Sequence, residues 1–219
     1  NKTQKIKAAI TAIGGYVPED FISNKDLEKM VDTNDEWITA RTGIKKRRIL
    51  KKEGKATSYL AINAANNLIK KKNLDPNTID LVIVSTITPD FHGASTAPTV
   101  ASQINANNAY AFDINAACSG FLFGMSTATS YIESGRYKKV LLIGADMMSS
   151  IVDYTDRSTS ILFGDGAGAV LIEPSDNDFG WEDEFLRSDG IGAEWLKVKA
   201  GGSLHPTSKE TFENKWHYI

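Results

Sequence analysis

Residues 113–121 read Asp-Ile-Asn-Ala-Ala-Cys-Ser-Gly-Phe, and this stretch decides the fold. The apolar run 110–115 passes through small residues and a cysteine into 119–134, a segment of helical character that Gly135 closes. A strand that turns tightly and enters a helix is a building unit of layered α/β architecture. The same geometry presents a nucleophile at the carboxyl edge of a sheet. Cys118 occupies that turn, and two readings of it stand. Free cysteine is among the most buried residue types, so it can be a small apolar packing residue. A thiol at a helix N-terminus instead meets the positive end of the helix dipole, which favours the thiolate, and a thiolate exchanges readily with thioesters. The small flanking residues admit a substrate close to the backbone; Gly120 serves close helix packing equally well.

Outward from this unit, strands and helices alternate. Residues 5–13 read as a strand that stops at a turn, Gly14-Gly15. Asn24 is positioned to cap a short helix through Met30, with Glu28 one place beyond the capping-box position. A second short helix runs from Asn34 or Asp35 to Thr42, where Gly43 stops it, and 44–50 is basic and extended. Thr57 opens a longer helix with Leu60, Ala61, Ala64, Ala65, Leu68 and Ile69 on one face. Asp75-Pro76-Asn77 is a turn, and 98–104 is helical. Short apolar runs at 81–86, 139–144 and 167–173 have the length of buried strands, the last ended by Pro174. The expected architecture is α/β, with a mostly parallel core sheet.

The bulk properties narrow the function. The 219 residues are 42% hydrophobic and 24% charged, an ordinary globular composition, with a net charge of -2 that gives no bulk attraction to nucleic acid or anionic membrane. A single cysteine excludes a disulfide within the chain. No stretch has the apolar length of a membrane helix or the pattern of a signal peptide, so a cytoplasmic protein is expected.

Two further segments carry chemistry. In 32–43, Asp-Thr-Asn-Asp-Glu-Trp-Ile-Thr-Ala-Arg-Thr-Gly, Trp37 and Arg41 are four apart and share a helical face. An indole and a guanidinium can sandwich a planar base; a core tryptophan beside a solvated arginine is the alternative. The basic run 44–52 is either a solvated face or a contact for phosphates or an acidic protein. In 163–169, Phe-Gly-Asp-Gly-Ala-Gly-Ala, the glycines suggest a phosphate loop. The segment lacks the Lys-Ser/Thr ending of such a loop and leads into a strand instead of a helix, which favours a tight turn packed behind an active site.

Together, Asp-Glu-Trp with Arg41-Thr-Gly, Ala-Ala-Cys118-Ser-Gly, Thr155-Asp-Arg-Ser and Phe-Gly-Asp-Gly-Ala-Gly-Ala resemble the β-ketoacyl-acyl-carrier-protein synthase III family of thiolase-like condensing enzymes, from about Ile6 to Glu173 and more weakly through Ser188-Asp-Gly. The resemblance implies a thiolase-like fold, layered α/β with a mostly parallel, five-stranded mixed sheet. It implies one of two family halves in 1–174 and a connecting insertion in 175–219. It implies that Cys118 accepts an acyl group from coenzyme A, and that malonyl-acyl-carrier protein then loses carbon dioxide and attacks the acyl thioester, which initiates fatty acid biosynthesis. Trp37 would stack on adenine with Arg157 on its other face, and Thr33 and Arg41 would lie near the nucleotide and phosphates. The backbone N–H of Cys118 would form half of an oxyanion hole. No metal and no cofactor beyond the coenzyme A thioester substrate are implied, and a homodimer through the sheet region near the cysteine is.

The family's catalytic histidine and asparagine lie in motifs of the type Pro-His-Gln-Ala-Asn and Gly-Asn-Thr, which these 219 residues do not contain. His92 reads as a loop residue, and His205 and His217 as surface or packing residues. Condensation by this segment alone is expected to be poor, because those groups stabilise the carbanion and oxyanion. Ala97 falls where some acetyl-selective members place a bulky aromatic, which suggests room for a longer or branched primer. A condensing enzyme of secondary metabolism and a non-catalytic thiolase-like subunit are the alternative readings.

Overall fold

The computed structural model describes residues 6–175, 177 and 179–219; Lys5 and two positions of the acidic stretch 175–184 lie outside them. The elements in chain order are β1 (Lys7–Tyr16), β2 (Phe21–Ser23), α1 (Asn24–Leu27), α2 (Asp35–Thr42), β3 (Lys46–Arg48), α3 (Thr57–Lys72), β4 (Leu81–Ser85), α4 (Thr96–Gln103), β5 (Tyr110–Ile114), α5 (Gly120–Glu133), β6 (Val140–Met147), α6 (Arg157–Ser160), β7 (Asp165–Ser175) and α7 (Lys209–Glu213). They fall into two compact units, the first formed by 6–18, 52–146 and 166–185, the second by 19–51, 147–165 and 186–219.

The first unit is built on a five-stranded mixed sheet of order β1-β7-β6-β4-β5. β4 pairs in parallel with both β5 and β6, and β1 pairs antiparallel with β7. Every residue of β4 is buried, as the continuous apolar run requires of a strand covered on both faces. The period of two is visible in what each residue meets. Val82 and Val84 join Leu141 and Ile143 in a core with Ala61, Ala64 and Leu68 of α3 and Val100 of α4. Leu81 and Ile83 join Val140 and Leu142 in a second core with Met125, Ala128 and Ile132 of α5. Helices thus cover both faces, and α5 has one face of the sheet largely to itself.

The glycine segments differ from their sequence reading. Gly14-Gly15 is no turn; β1 continues through it to Tyr16, paired with 167–169. Gly14 lies where α3 crosses, and a Cβ there would stand 2.6 Å from the Leu68 amide nitrogen and 2.7 Å from its Cβ. Gly14→Ala is therefore expected to destabilise the protein by about 1–3 kcal/mol through overpacking, read as a lower midpoint in chemical denaturation; an unchanged midpoint would show that α3 yields freely. The 163–169 segment likewise is not a tight turn. From Asp165 onward it is strand, with Gly168 opposite Gly15, and the strand runs past Pro174 to Ser175.

Long-range side chains explain the other shifts. α4 begins at Thr96, two residues before the expected start, because the Asp113 carboxylate accepts hydrogen bonds from the Thr96 and Ala97 amides (2.6 and 2.7 Å). α1 is capped by Ser23 and ends at Leu27, short of Met30. The Ser23 hydroxyl and Asp26 form the capping box, while the Asn24 amide is engaged elsewhere. α2 matches its reading, with Asn34 accepting from Trp37 N at 2.7 Å and Gly43 left-handed at φ 70°.

The second unit holds the β2-β3 antiparallel pair, α1, α2, α6 and α7. Its core is small: Leu27, Ile38 and Ile161, with Ile22, Trp37 and Tyr154 packed against them. Ile191, Trp195 and Leu204 stay more than four-fifths exposed.

Candidate functional site

Cys118 sits four residues beyond the end of β5. Ser85 is paired with Ile114 on one side and Gly144 on the other in the parallel ladder, so the segments that follow these three strands emerge at the same carboxyl edge of the sheet, where α/β proteins place their sites. The chain turns there through Ala117 at φ 47°, a left-handed conformation in a residue with a Cβ. That conformation costs on the order of 1–3 kcal/mol and recurs at functional turns. A 3-10 turn, Ala117–Ser119, carries Cys118 into α5, and the cysteine is exposed. Among the described residues the thiol is not part of the packed core. The positive end of the α5 dipole faces this turn and favours negative charge that develops there, with the Ser119 and Gly120 amides already paired to the Ala116 and Ala117 carbonyls. Gly120 packs close to the end of β4, where a Cβ would displace the Ser85 hydroxyl.

Carboxylates hold the neighbouring loops. Asp146 Oδ1 accepts from Thr86 Oγ1 (3.0 Å), Ile87 N (2.9 Å) and Thr88 Oγ1 (3.1 Å) and fixes the segment after β4. Beyond that segment a cavity of about 270 Å³ is lined by Pro89, Phe91, His92, Ser95 and Asp113, among others. His92 is an exposed loop residue, as read, on the wall of this open hollow. Ala97 is fully buried in the α3/α4 core, so its reading as an acyl-pocket residue receives no support from its surroundings.

In the second unit, Trp37, Arg41 and Arg157 come together. The Arg41 guanidinium lies 4.4 Å from the Trp37 ring centroid, and that of Arg157 lies 5.1 Å from it. Arg157 also donates to the Asp32 carbonyl at 3.1 Å. Both arginines are exposed and Trp37 is half-buried. The Thr33 hydroxyl, one residue before the α2 cap, is buried without a hydrogen-bond partner among the described residues. Asp156 caps α6 by accepting from Ser158, and these bonds hold its carboxyl below the usual range.

Beneath them, Arg47 is 3% exposed, which corrects the reading of 44–52 as a wholly solvated face. Burial lowers the pKa of its guanidinium. Tyr154, close by, is pushed up to about 12, by burial first and by Asp165 second. The remaining histidines pack as read: His205 lies edge-on to Trp216, and His217 stacks on Phe212, each at 5.3 Å between ring centroids.

The sequence model of 3-oxoacyl-[acyl-carrier-protein (ACP)] synthase III matches residues 112–190, a span that contains Cys118 and Arg157. The chain is 53% identical over 216 residues to beta-ketoacyl-[acyl-carrier-protein] synthase III 2 of Bacteroides thetaiotaomicron, covering 99% of this chain and 64% of that protein. It is 56% identical over 216 residues to the synthase III of Chlorobium chlorochromatii, covering 98% and 66%. The chain belongs to the β-ketoacyl-acyl-carrier-protein synthase III family. Among solved structures, 3-oxoacyl-[acyl-carrier-protein] synthase III from Aquifex aeolicus superposes with a TM-score of 0.75 at 49% identity, over 78% of this chain and 55% of that one. The thiolase-like fold of the synthase III family is therefore the fold of this chain. The chain spans about two thirds of the length of the curated relatives it matches. No helix among the described residues is long and apolar enough to cross a membrane.

Proposed function

We propose that this chain is the nucleophile-bearing part of an acyltransferase that condenses an acyl-coenzyme A primer with malonyl-acyl-carrier protein and so initiates fatty acid biosynthesis. The observation that carries the reading is an exposed cysteine on a strained turn at the mouth of α5 in a chain of the synthase III family. Cys118 attacks the acyl carbonyl of the primer thioester, and coenzyme A leaves as the thiol. Trp37, Arg41, Arg157 and Thr33 take the nucleotide end: the indole stacks on one face of adenine and the Arg157 guanidinium on the other, Arg41 meets phosphate oxygens, and the Thr33 hydroxyl supplies a further polar contact. The coenzyme A thioester is consumed as substrate, and the proposed chemistry needs no resident cofactor. The setting is cytoplasmic. The test follows carbon dioxide released from malonyl-acyl-carrier protein by the natural protein that contains this sequence. Release should depend on an acyl-coenzyme A primer and match its consumption one for one. Release that ignores the primer would contradict the reading.

A homodimer is part of the same proposal. β5 is one of the two edge strands of the sheet and is only half-buried, with Tyr110 54% exposed. An open strand edge of this kind is a template for pairing with a second copy. Sedimentation equilibrium should return twice the chain mass at micromolar concentration; a monomer there would count against it.

A further inference from the structure

The groups proposed to hold the nucleotide stand on two short helices, and a buried polar relay joins those helices from below. Arg47 Nε donates to the carbonyl of Ile161, the C-cap of α6, at 2.7 Å. Arg47 Nη1 donates to Asn24 Oδ1. Asn24 Nδ2 in turn donates to Asp35 Oδ1 at 2.7 Å and to the Ile44 carbonyl at 2.8 Å. Asp35 is the first residue of α2, two places before Trp37, and Arg157 is the first residue of α6. Asn24 is 2% exposed and Arg47 3%.

Stability alone does not account for this arrangement. Arg47 is a buried cation whose partners are a carbonyl and a neutral amide, and among the described residues its Nη2 has no partner. Burying a charge on such terms costs free energy that an apolar side chain of similar size would avoid. What the relay provides is geometry, since each member is directional and the chain of bonds spans from one helix to the other. A base between two flanking planes needs about 7 Å, two stacking steps of ~3.4 Å each. Arg157 lies 5.1 Å from the Trp37 centroid, so the gap must widen. With α6 held by its C-cap carbonyl and α2 by its first residue, that widening falls to the exposed Arg157 side chain while both helices stay in place.

We propose that Arg47 and Asn24 are positioning residues that set the Trp37–Arg157 spacing and thereby the preference for nucleotide-bearing acyl donors. The proposal rests on the nucleotide reading of Trp37 given above. The test compares acylation of Cys118 by acetyl-coenzyme A with acylation by S-acetyl-N-acetylcysteamine, a thioester without a nucleotide, and takes the ratio of the two second-order rate constants. N24D keeps an acceptor for Arg47 but sets a carboxylate against Asp35; it should lower the ratio about 10-fold or more, equivalent to ~1.4 kcal/mol of lost discrimination. R47K, which keeps the charge and loses the fork, should lower it as well. The double variant N24D/D35N restores a donor and acceptor to the broken link and should return the ratio to within about threefold of the parent, half a kcal/mol or so.

A fall in rate with both donors that leaves the ratio intact would identify a purely structural role and overturn the proposal. An unchanged ratio in N24D and R47K, beside a collapsed ratio in W37A, would overturn the proposal and spare the nucleotide reading. An unchanged ratio in W37A would overturn both. Melting curves of each variant accompany the rates, and R47K reports on the α6 end if N24D does not fold.

Discussion

Cys118→Ser is expected to abolish acyl loading from acyl-coenzyme A. The wild-type chain should gain the mass of one acyl group on incubation with the thioester, and the variant none, a rate loss on the order of 10³-fold or more, as removal of an activated nucleophile typically produces. The expectation follows from position. Cys118 is exposed, follows a left-handed Ala117, and lies at the N-terminal approach to a helix whose start is pressed against Ser85. A hydroxyl fits the same space, so the fold should survive, but it is far less nucleophilic than a thiolate at neutral pH. Retention of loading in the variant would mean that another group accepts the acyl chain. A wild-type thiol that reacts with iodoacetamide no faster than an ordinary cysteine would favour a non-catalytic subunit of the same fold.

Trp37→Ala should weaken binding of coenzyme A by roughly 5- to 100-fold, because base–aromatic stacking is worth about 1–3 kcal/mol. Isothermal titration with coenzyme A and with pantetheine separates the nucleotide contribution, since pantetheine lacks the base and should be far less sensitive. Trp37 also packs against Leu27, Ile38 and Ile161, so the alanine variant loses some stability; Trp37→Phe keeps most of the packing and should show an intermediate affinity. The arginines add a charge component, visible as weaker binding at higher salt. Equal losses for the two ligands would return Trp37 to a packing role and leave Arg41 and Arg157 as solvated neighbours.

What the sequence revealed followed the range of the interactions. β4 and β6 were legible because a strand buried on both faces must be a continuous apolar run. The turn at Cys118 was legible because strand, small residues and helix follow one another locally. Trp37 and Arg41 were legible through their four-residue spacing, whereas Arg157 entered only through family resemblance, being remote in the chain. Glycine misled twice, since Gly14-Gly15 and 165–169 are paired strand, with Gly14 held by the close approach of α3, and a turn has the same composition. Asp113 advanced the start of α4 from a distant strand, which no local pattern could register. Arg47 looked like one charge of a solvated run, and only the fold shows that it faces inward to Asn24 and Ile161.

With Cys118 as the acceptor, the acyl group resides on one residue of this chain. Incubation with acetyl-coenzyme A, proteolysis and peptide mass spectrometry locate the acyl adduct directly. A single adduct is expected on the peptide containing Cys118, removed by neutral hydroxylamine as a thioester would be and absent after prior alkylation. An adduct on a lysine, or none at all with folded protein and intact thioester, would contradict it.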